Sequence, residues 1–235
     1  MAEVAPTSGL MAGRRGLVLG VANDHSIAWG IAKVLRAQGA ELAFTYQGEG
    51  FGRRVIPLAE SLGSPLVLKA DVEDEASLDE VFERIAAEWG RLDFLVHAIA
   101  YSDKTELDGR FLDTSRENFR RSLEISCYSL VDLTRRAAPL MSEGGSIITL
   151  TYIGAQRVTP NYNVMGVAKA ALESAVRYLA SDLGPQGIRV NAISPGPMRT
   201  LAGAAIAGAR KVYRATEIGI AQGGRWRKGF DDARA

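Results

Sequence analysis

The sequence predicts an α/β fold, a doubly wound, Rossmann-like parallel sheet in a single domain. Three observations carry that expectation. Short β-rich runs alternate with longer helical patterns along the chain, as repeated βαβ units do. Runs such as Phe94-Leu95-Val96 and Ile147-Ile148 are apolar without alternating, which suits strands covered by helices on both faces. Glycines and capping acids stand at the joints between runs.

Taken in order, a first strand at 16–20 turns into a helix at 27–38, and Gly39 follows its end. The second strand, 41–46, leads to a helix at 51–62 and then Gly63. The third, 65–69, is followed by Asp71 and Asp74 before the acidic opening of a helix at 75–89, with Gly90 beyond. The fourth, 93–97, precedes a long helical pattern at 115–138. The fifth, 145–150, precedes a helix at 161–183 with Gly184 at its end, and the sixth covers 189–193. A left-handed residue is expected at each of the four glycines.

The bulk numbers bound the function classes. A chain of 235 residues can bury one sizeable core. Its 47% apolar and 23% charged residues are ordinary for a soluble globular protein, and a net charge of +1 offers no electrostatic footprint for nucleic acid or an anionic membrane. One cysteine, Cys127, rules out an internal disulfide, and a reducing cytoplasm fits. The first fifteen residues hold no apolar stretch of signal-peptide length, and no later run reaches the roughly 18 apolar residues of a membrane span. His25 and His97 lack ligand spacing, so no metal is expected and His97 reads as a structural histidine.

In such a fold a ligand binds outside the carboxyl ends of the strands, where the strand order reverses. The segment from Gly20 to Gly30 is a turn entering a helix whose free N–H groups suit a pyrophosphate, with Gly20 for the tight turn and Gly30 for close helix–sheet approach. Its spacing is not GxGxxG, and a plain strand-to-helix turn explains it equally well. Gln47, at the end of the second strand, is a neutral partner for a ribose hydroxyl, which favours NADH, while Arg53 and Arg54 keep NADPH open. Asp71-Val72 reads as an adenine contact or, for Asp71, as a helix cap. The small residues from Ala98 to Ala100 let the backbone pass close to a cofactor.

The most informative segment runs from Leu150 through Tyr152 and Tyr162 to Lys169. On a helix begun near Asn161, Tyr162 and Lys169 face the same way, roughly 10 Å apart along the axis. A lysine there can bind ribose hydroxyls, and a neutral phenol can donate to a developing oxyanion. The bland alternative makes Tyr162 a helix-end aromatic and Lys169 a solvated side chain.

At this point a resemblance emerges. The segment from Tyr152 to Lys169 resembles the Tyr-x6-Lys arrangement of bacterial enoyl-acyl-carrier-protein reductases of the NADH type, a divergent branch of the short-chain dehydrogenases. The likeness extends over Gly20 to Gly30, the strand end at Tyr46-Gln47, Asp71-Val72 and the stretch from Arg189 to Thr200. Carbonyl-reducing relatives place lysine four residues after the tyrosine, where this sequence has Gly166.

The resemblance implies NADH as cofactor and an enoyl thioester on acyl carrier protein as substrate, the enzyme belonging to fatty acid synthesis. Gly20, Ser26 and Ile27 would lie along the cofactor phosphates, Gln47, Asp71 and Val72 near its adenosine half, and Ile99 and Ala100 beside ribose and pyrophosphate. Lys169 would bind the nicotinamide ribose, with Met198 and Thr200 on the carboxamide and phosphate side. Tyr162 would hydrogen-bond the thioester oxygen, and Tyr152 would line the substrate site. Met165, Leu201 and Ile206 would face an acyl chain. Hydride would attack the β-carbon, with Tyr162 and a ribose hydroxyl holding the enolate oxygen. The helices at 115–138 and 161–183 would form a homotetramer interface, aided by Ala168, Ala171 and Ala175.

After Arg214 the resemblance ends, which divides the chain into a dinucleotide-binding domain at 1–214 and a divergent tail at 215–235. That tail mixes Gly219, Gly223, Gly224 and Gly229 with charged residues and is expected to be mobile, leaving the sheet without its last strand. The alternatives are a carbonyl-reducing dehydrogenase, which would need the missing Tyr-x3-Lys pair, and a weakly active nucleotide-binding relative.

Overall fold

Among the described residues, six parallel strands form one sheet in the order β3-β2-β1-β4-β5-β6. They are β1 Arg15–Leu19, β2 Glu41–Tyr46, β3 Leu66–Lys69, β4 Phe94–His97, β5 Gly145–Leu150 and β6 Ile188–Ile193. The helices are α1 Ile27–Ala37, α2 Gly48–Ser61, α3 Glu75–Trp89, α4 Arg116–Leu123, α5 Ser129–Ala137, α6 Asn163–Leu183 and the short α7 Leu201–Ala204. The computed structural model describes residues 8–196, 198 and 200–204. The divergence after Arg214 and the mobile tail expected from the sequence lie outside the described residues, as does Ile206.

The chain winds outward from β1 to β3, crosses back to β4 beside β1, and continues to β6. The order therefore reverses between β1 and β4, and a crevice opens at their carboxyl ends. Successive strand residues point to opposite faces, and both faces are filled. Leu17, Leu19, Leu95 and Ile147 pack with Leu78 and Ile85 of α3, Leu130 and Leu133 of α5, and Leu172 of α6. Val18, Leu42, Phe44 and Val96 pack with Trp29 and Ala32 of α1 and Val55 and Ala59 of α2. Double coverage explains the unbroken apolar runs of β1, β2 and β4. Gly16 is paired with Phe94 across β1 and β4, and a Cβ on it would fall 1.9 Å from the Phe94 ring. In β6, by contrast, Ile188 and Val190 are buried while Arg189 and Asn191 are exposed.

Capping follows the sequence in part. The Asp74 carboxylate accepts from the N–H groups of Ala76 and Ser77 at 3.1 and 3.4 Å, and Gly90 closes α3 at φ 68°. Gly39 and Gly63 are left-handed as expected. Gly184 is not: it stays right-handed at φ −53° and opens a 3-10 turn, Gly184–Gln186, so the left-handed exit falls to Gly187 at φ 74°. Pro185 explains this, because its fixed φ suits the start of that turn.

The expected helix at 115–138 is helical without a break from Arg116 on, but it is not uniformly α. A π-helical turn, Glu124–Tyr128, separates α4 from α5. The last long helix starts at Asn163 and not at Asn161, and α2 starts at Gly48 rather than at 51. No helix of the described residues is long and apolar enough to cross a membrane, and no group of three or more metal-ligating side chains occurs among them.

Candidate active site

A cleft of about 360 Å³ opens at the carboxyl ends of β1, β4 and β5. Its walls include Gly20, Ser26, Ile27, Ile99, Ala100, Tyr152, Tyr162, Lys169, Met198 and Thr200, with Met165 and Leu201. The sequence-predicted residues thus converge, with three exceptions. Gln47, Asp71 and Val72 stand on the same edge of the sheet, farther along at the ends of β2 and β3, and the Gln47 amide donates to the Asp71 carboxylate at 2.8 Å.

At the crevice, Gly20 is held at φ 94°, and a Cβ there would fall 2.1 Å from the Ala98 carbonyl oxygen. Only glycine lets the loops after β1 and β4 meet this closely. Gly30 does not have the role expected of it: it is exposed and a Cβ on it would meet nothing. Close packing of α1 on the sheet comes from Ala28 and Ala32, which are buried.

The entrance of α1 is shaped for an anion. The Ser26 hydroxyl turns back to accept from the N–H groups of Ala22 and Asn23, at 3.0 and 3.1 Å, and leaves the first turn of α1 without a side-chain cap. Helix N–H groups left open at a positive dipole end fit phosphate oxygens. The Lys169 ammonium and the Thr200 hydroxyl on the cleft wall complete a donor set suited to a dinucleotide.

Tyr162 sits at the N-terminus of α6, its ring edge-on to Tyr152 with centroids 5.0 Å apart and planes at 62°. Leu107, Val164 and Met165 pack with it. Burial first, then the neighbouring Tyr152, pushes the phenol well above its ordinary range, so it is a neutral donor at physiological pH. Lys169 is buried and donates from Nζ to the Leu150 carbonyl at 2.7 Å. Burial pushes its ammonium down to about 8, against the attraction of Cys127. This is no solvated surface lysine.

Two glycines fit the tyrosine to its place. A Cβ on Gly154 would fall 2.5 Å from the Tyr162 ring, and one on Gly166 would fall 2.9 Å from the Gly154 carbonyl oxygen. Gly166 occupies the position four residues after Tyr162, and no side chain fits there without displacing the loop after β5.

His97 is structural, as expected. It is fully buried, with Nδ1 2.8 Å from the Thr149 hydroxyl and Nε2 2.8 Å from the Ser129 hydroxyl. Burial, and then the charge of Lys169, pushes it down to about 3, which keeps the ring neutral.

Several supports were not foreseen. The Ser126 hydroxyl, in the π-helical turn, accepts from the Tyr101 N–H at 2.9 Å. The Arg121 guanidinium donates twice to Glu73, at 2.8 and 2.7 Å, and lies over the Tyr101 ring at 4.7 Å, which ties the loops after β3 and β4 together. The Thr151 hydroxyl donates to Glu173 at 2.8 Å beside Tyr152. A π turn marks functional sites often enough to be sought, but nothing in the residues 124–128 announces one.

A family model described as enoyl-(acyl carrier protein) reductase matches residues 20–227, a span running beyond Arg214. The NADH-type enoyl-[acyl-carrier-protein] reductase 2 of Rhizobium meliloti (strain 1021) is 64% identical over 203 residues, covering 86% of this chain and 76% of the relative. The crystal structure of the Anaplasma phagocytophilum enoyl-(acyl-carrier-protein) reductase in complex with NAD superposes with a TM-score of 0.83 at 58% identity, over 86% of this chain and 77% of that one. The Bacillus cereus enoyl-acyl carrier protein reductase with NADP+ and indole naphthyridinone gives 0.86 at 48% identity, over 88% and 81%. With a cleft that pairs an open helix N-terminus with Tyr162 and Lys169, and with similarity of this extent, the chain belongs to the enoyl-(acyl-carrier-protein) reductase family of the short-chain dehydrogenases/reductases.

Proposed function

We propose that this chain reduces the trans-2 double bond of an enoyl thioester with NADH. The carrying observation is the pair in the cleft: a neutral, buried phenol at Tyr162 and a buried ammonium at Lys169, six residues between them, with the Tyr-x3-Lys position closed by Gly166. NADH, when bound, supplies hydride to the β-carbon.

The residues divide the remaining work. The open first turn of α1 holds the phosphates, Gln47 accepts the adenosine side as a neutral hydrogen-bonding partner, and Lys169 engages the nicotinamide ribose. Tyr162 donates to the thioester oxygen and strengthens that bond as charge gathers there, a preorganised donor in a dry site. Burial helps, because a phenol held neutral keeps its proton available for the hydrogen bond. A proton taken up from solvent at the α-carbon completes the saturated thioester. Tyr152, Met165 and Leu201 bound the space for the acyl chain.

Acyl carrier protein as the carrier, action in the cytoplasm, and a homotetramer belong to the same proposal. Exposed Phe119, Tyr128, Val167 and Tyr178 on the α4–α6 helices support association of copies. Neutral Gln47 supports NADH over NADPH. The test is NADH oxidation with crotonyl thioester beside acetoacetyl thioester: consumption with the first alone is expected, and consumption with the second alone would replace this reading by carbonyl reduction. Tighter binding of NADPH than NADH in direct titration would overturn the cofactor preference.

A further inference from the structure

Only two non-glycine residues among the described ones hold a positive φ, and they flank Tyr162: Asn161 at 60° and Asn163 at 34°. Tyr162 between them is right-handed, at φ −109° and ψ −23°. The backbone thus reverses hand twice in three residues at the entry to α6. Asparagine tolerates this region better than other residues with a Cβ, yet left-handed backbone is still strained for it, and such strain collects at functional sites.

Neither asparagine holds the cap position of α6. Tyr162 holds that position, and its own side chain makes no cap bond. The Asn163 amide donates away from the helix, to the carbonyls of Glu106 and Gly109, each at 3.3 Å. Between those two residues lies Leu107, buried against Tyr162. The same amide therefore fastens to α6 the loop that backs the tyrosine ring.

We propose that Asn161 and Asn163 are positioning residues that set the Tyr162 phenol in the cleft: both supply left-handed backbone, and the Asn163 amide also fixes the Leu107 loop behind the ring. The inference rests on Tyr162 being the donor to the thioester oxygen. The two backbone reversals set the ring's direction, while Gly154 lies against the ring and Leu107 packs in the same cluster.

The test compares alanine with glycine at each position in the full chain. Glycine accepts a positive φ freely and alanine does not. Asn161→Ala and Asn163→Ala should lower kcat with crotonyl thioester by about 10- to 100-fold, the scale of a small misplacement of a reacting group, while NADH affinity read by fluorescence titration stays native. Asn161→Gly should raise turnover above that of Asn161→Ala. Asn163→Gly should restore it only in part, because the bonds to Glu106 and Gly109 are lost. A second readout needs no turnover: the 13Cζ resonance of Tyr162 should stay protonated past the pH at which exposed tyrosines ionise in the native chain and in Asn161→Gly, and should titrate earlier in both alanine variants.

Native kcat in the alanine variants, glycine variants as impaired as alanine ones, or NADH affinity falling in step with kcat would each overturn the proposal. A native chain that binds NADH but leaves crotonyl thioester unreduced would refute the functional reading instead, and the Tyr162 resonance would then decide the placement by itself.

Discussion

Replacing Gly20 with alanine should push β1 and β4 apart at the mouth of the cleft. The residue sits at φ 94°, and the added Cβ would lie 2.1 Å from the Ala98 carbonyl oxygen and 2.5 Å from its carbon. Both obstacles are backbone, so no side-chain rotation relieves them. Left-handed backbone costs a residue with a Cβ about 1–2 kcal/mol, and a methyl forced into packed space costs about 1–3 kcal/mol, giving a loss of about 2–5 kcal/mol. Against a domain stability of about 5–15 kcal/mol, the variant should fold but unfold at lower urea. Relief requires the chain at Ala98 to retreat, although its N–H is bonded to the Leu19 carbonyl at 3.1 Å. Ile99 and Ala100 would move with it, and NADH affinity should fall in parallel. Gly30→Ala is the control: its Cβ meets nothing, and alanine inside α1 should stabilise by up to about 1 kcal/mol. A Gly20→Ala protein with native urea midpoint and native NADH affinity would refute the argument.

Tyr162→Phe keeps the ring packing and removes the donor, so kcat should fall by about 10²- to 10³-fold with NADH affinity unchanged in titration. Lys169, pushed down to about 8, should lose its charge as pH rises, so NADH affinity should be flat below pH 8 and weaken above it, an inflection that Lys169→Met should abolish. The same shift acts oppositely on stability: between about 8 and the ordinary 10.5 the unfolded chain binds the extra proton, so this contribution grows as pH rises, and a Lys169→Met chain should lack that slope in urea midpoints. His97, neutral down to about 3 against 6.5 when unfolded, contributes stability that is lost as pH falls through that window. Urea midpoints of the native chain should therefore drop more steeply between those pH values than those of His97→Gln; equal slopes would count against a buried neutral imidazole.

What the sequence disclosed depended on how local the cause was. Phe94-Leu95-Val96 reads as a strand covered on both faces because alternate residues feed two cores. Asp74 and Gly90 read as the ends of α3 because a cap acts on its own turn. Tyr162 and Lys169 read as partners because the first caps the helix that carries the second, although the turn that sets Tyr162 outside that helix left no mark in the spacing. Gly30 misled, since a glycine at a suggestive spacing says nothing about whether a neighbour approaches it. Gly16 is the converse: its need for no side chain comes from Phe94, a strand away. The π turn left no trace because one extra residue per turn changes spacing and not composition. The pairs Arg121–Glu73 and Thr151–Glu173 join residues distant in sequence, and only the folded chain brings them together.

Gly166 has a consequence for how this catalyst could change its trade. Counted from Tyr162, a Tyr-x3-Lys arrangement would put a lysine at Gly166, and here the first carbon of any side chain would fall 2.9 Å from the Gly154 carbonyl oxygen. Gly154 cannot yield, because the Tyr162 ring lies against it. A lysine placed at Gly166 would therefore require the loop after β5 to shift, and the seat of the Tyr162 ring would shift with it.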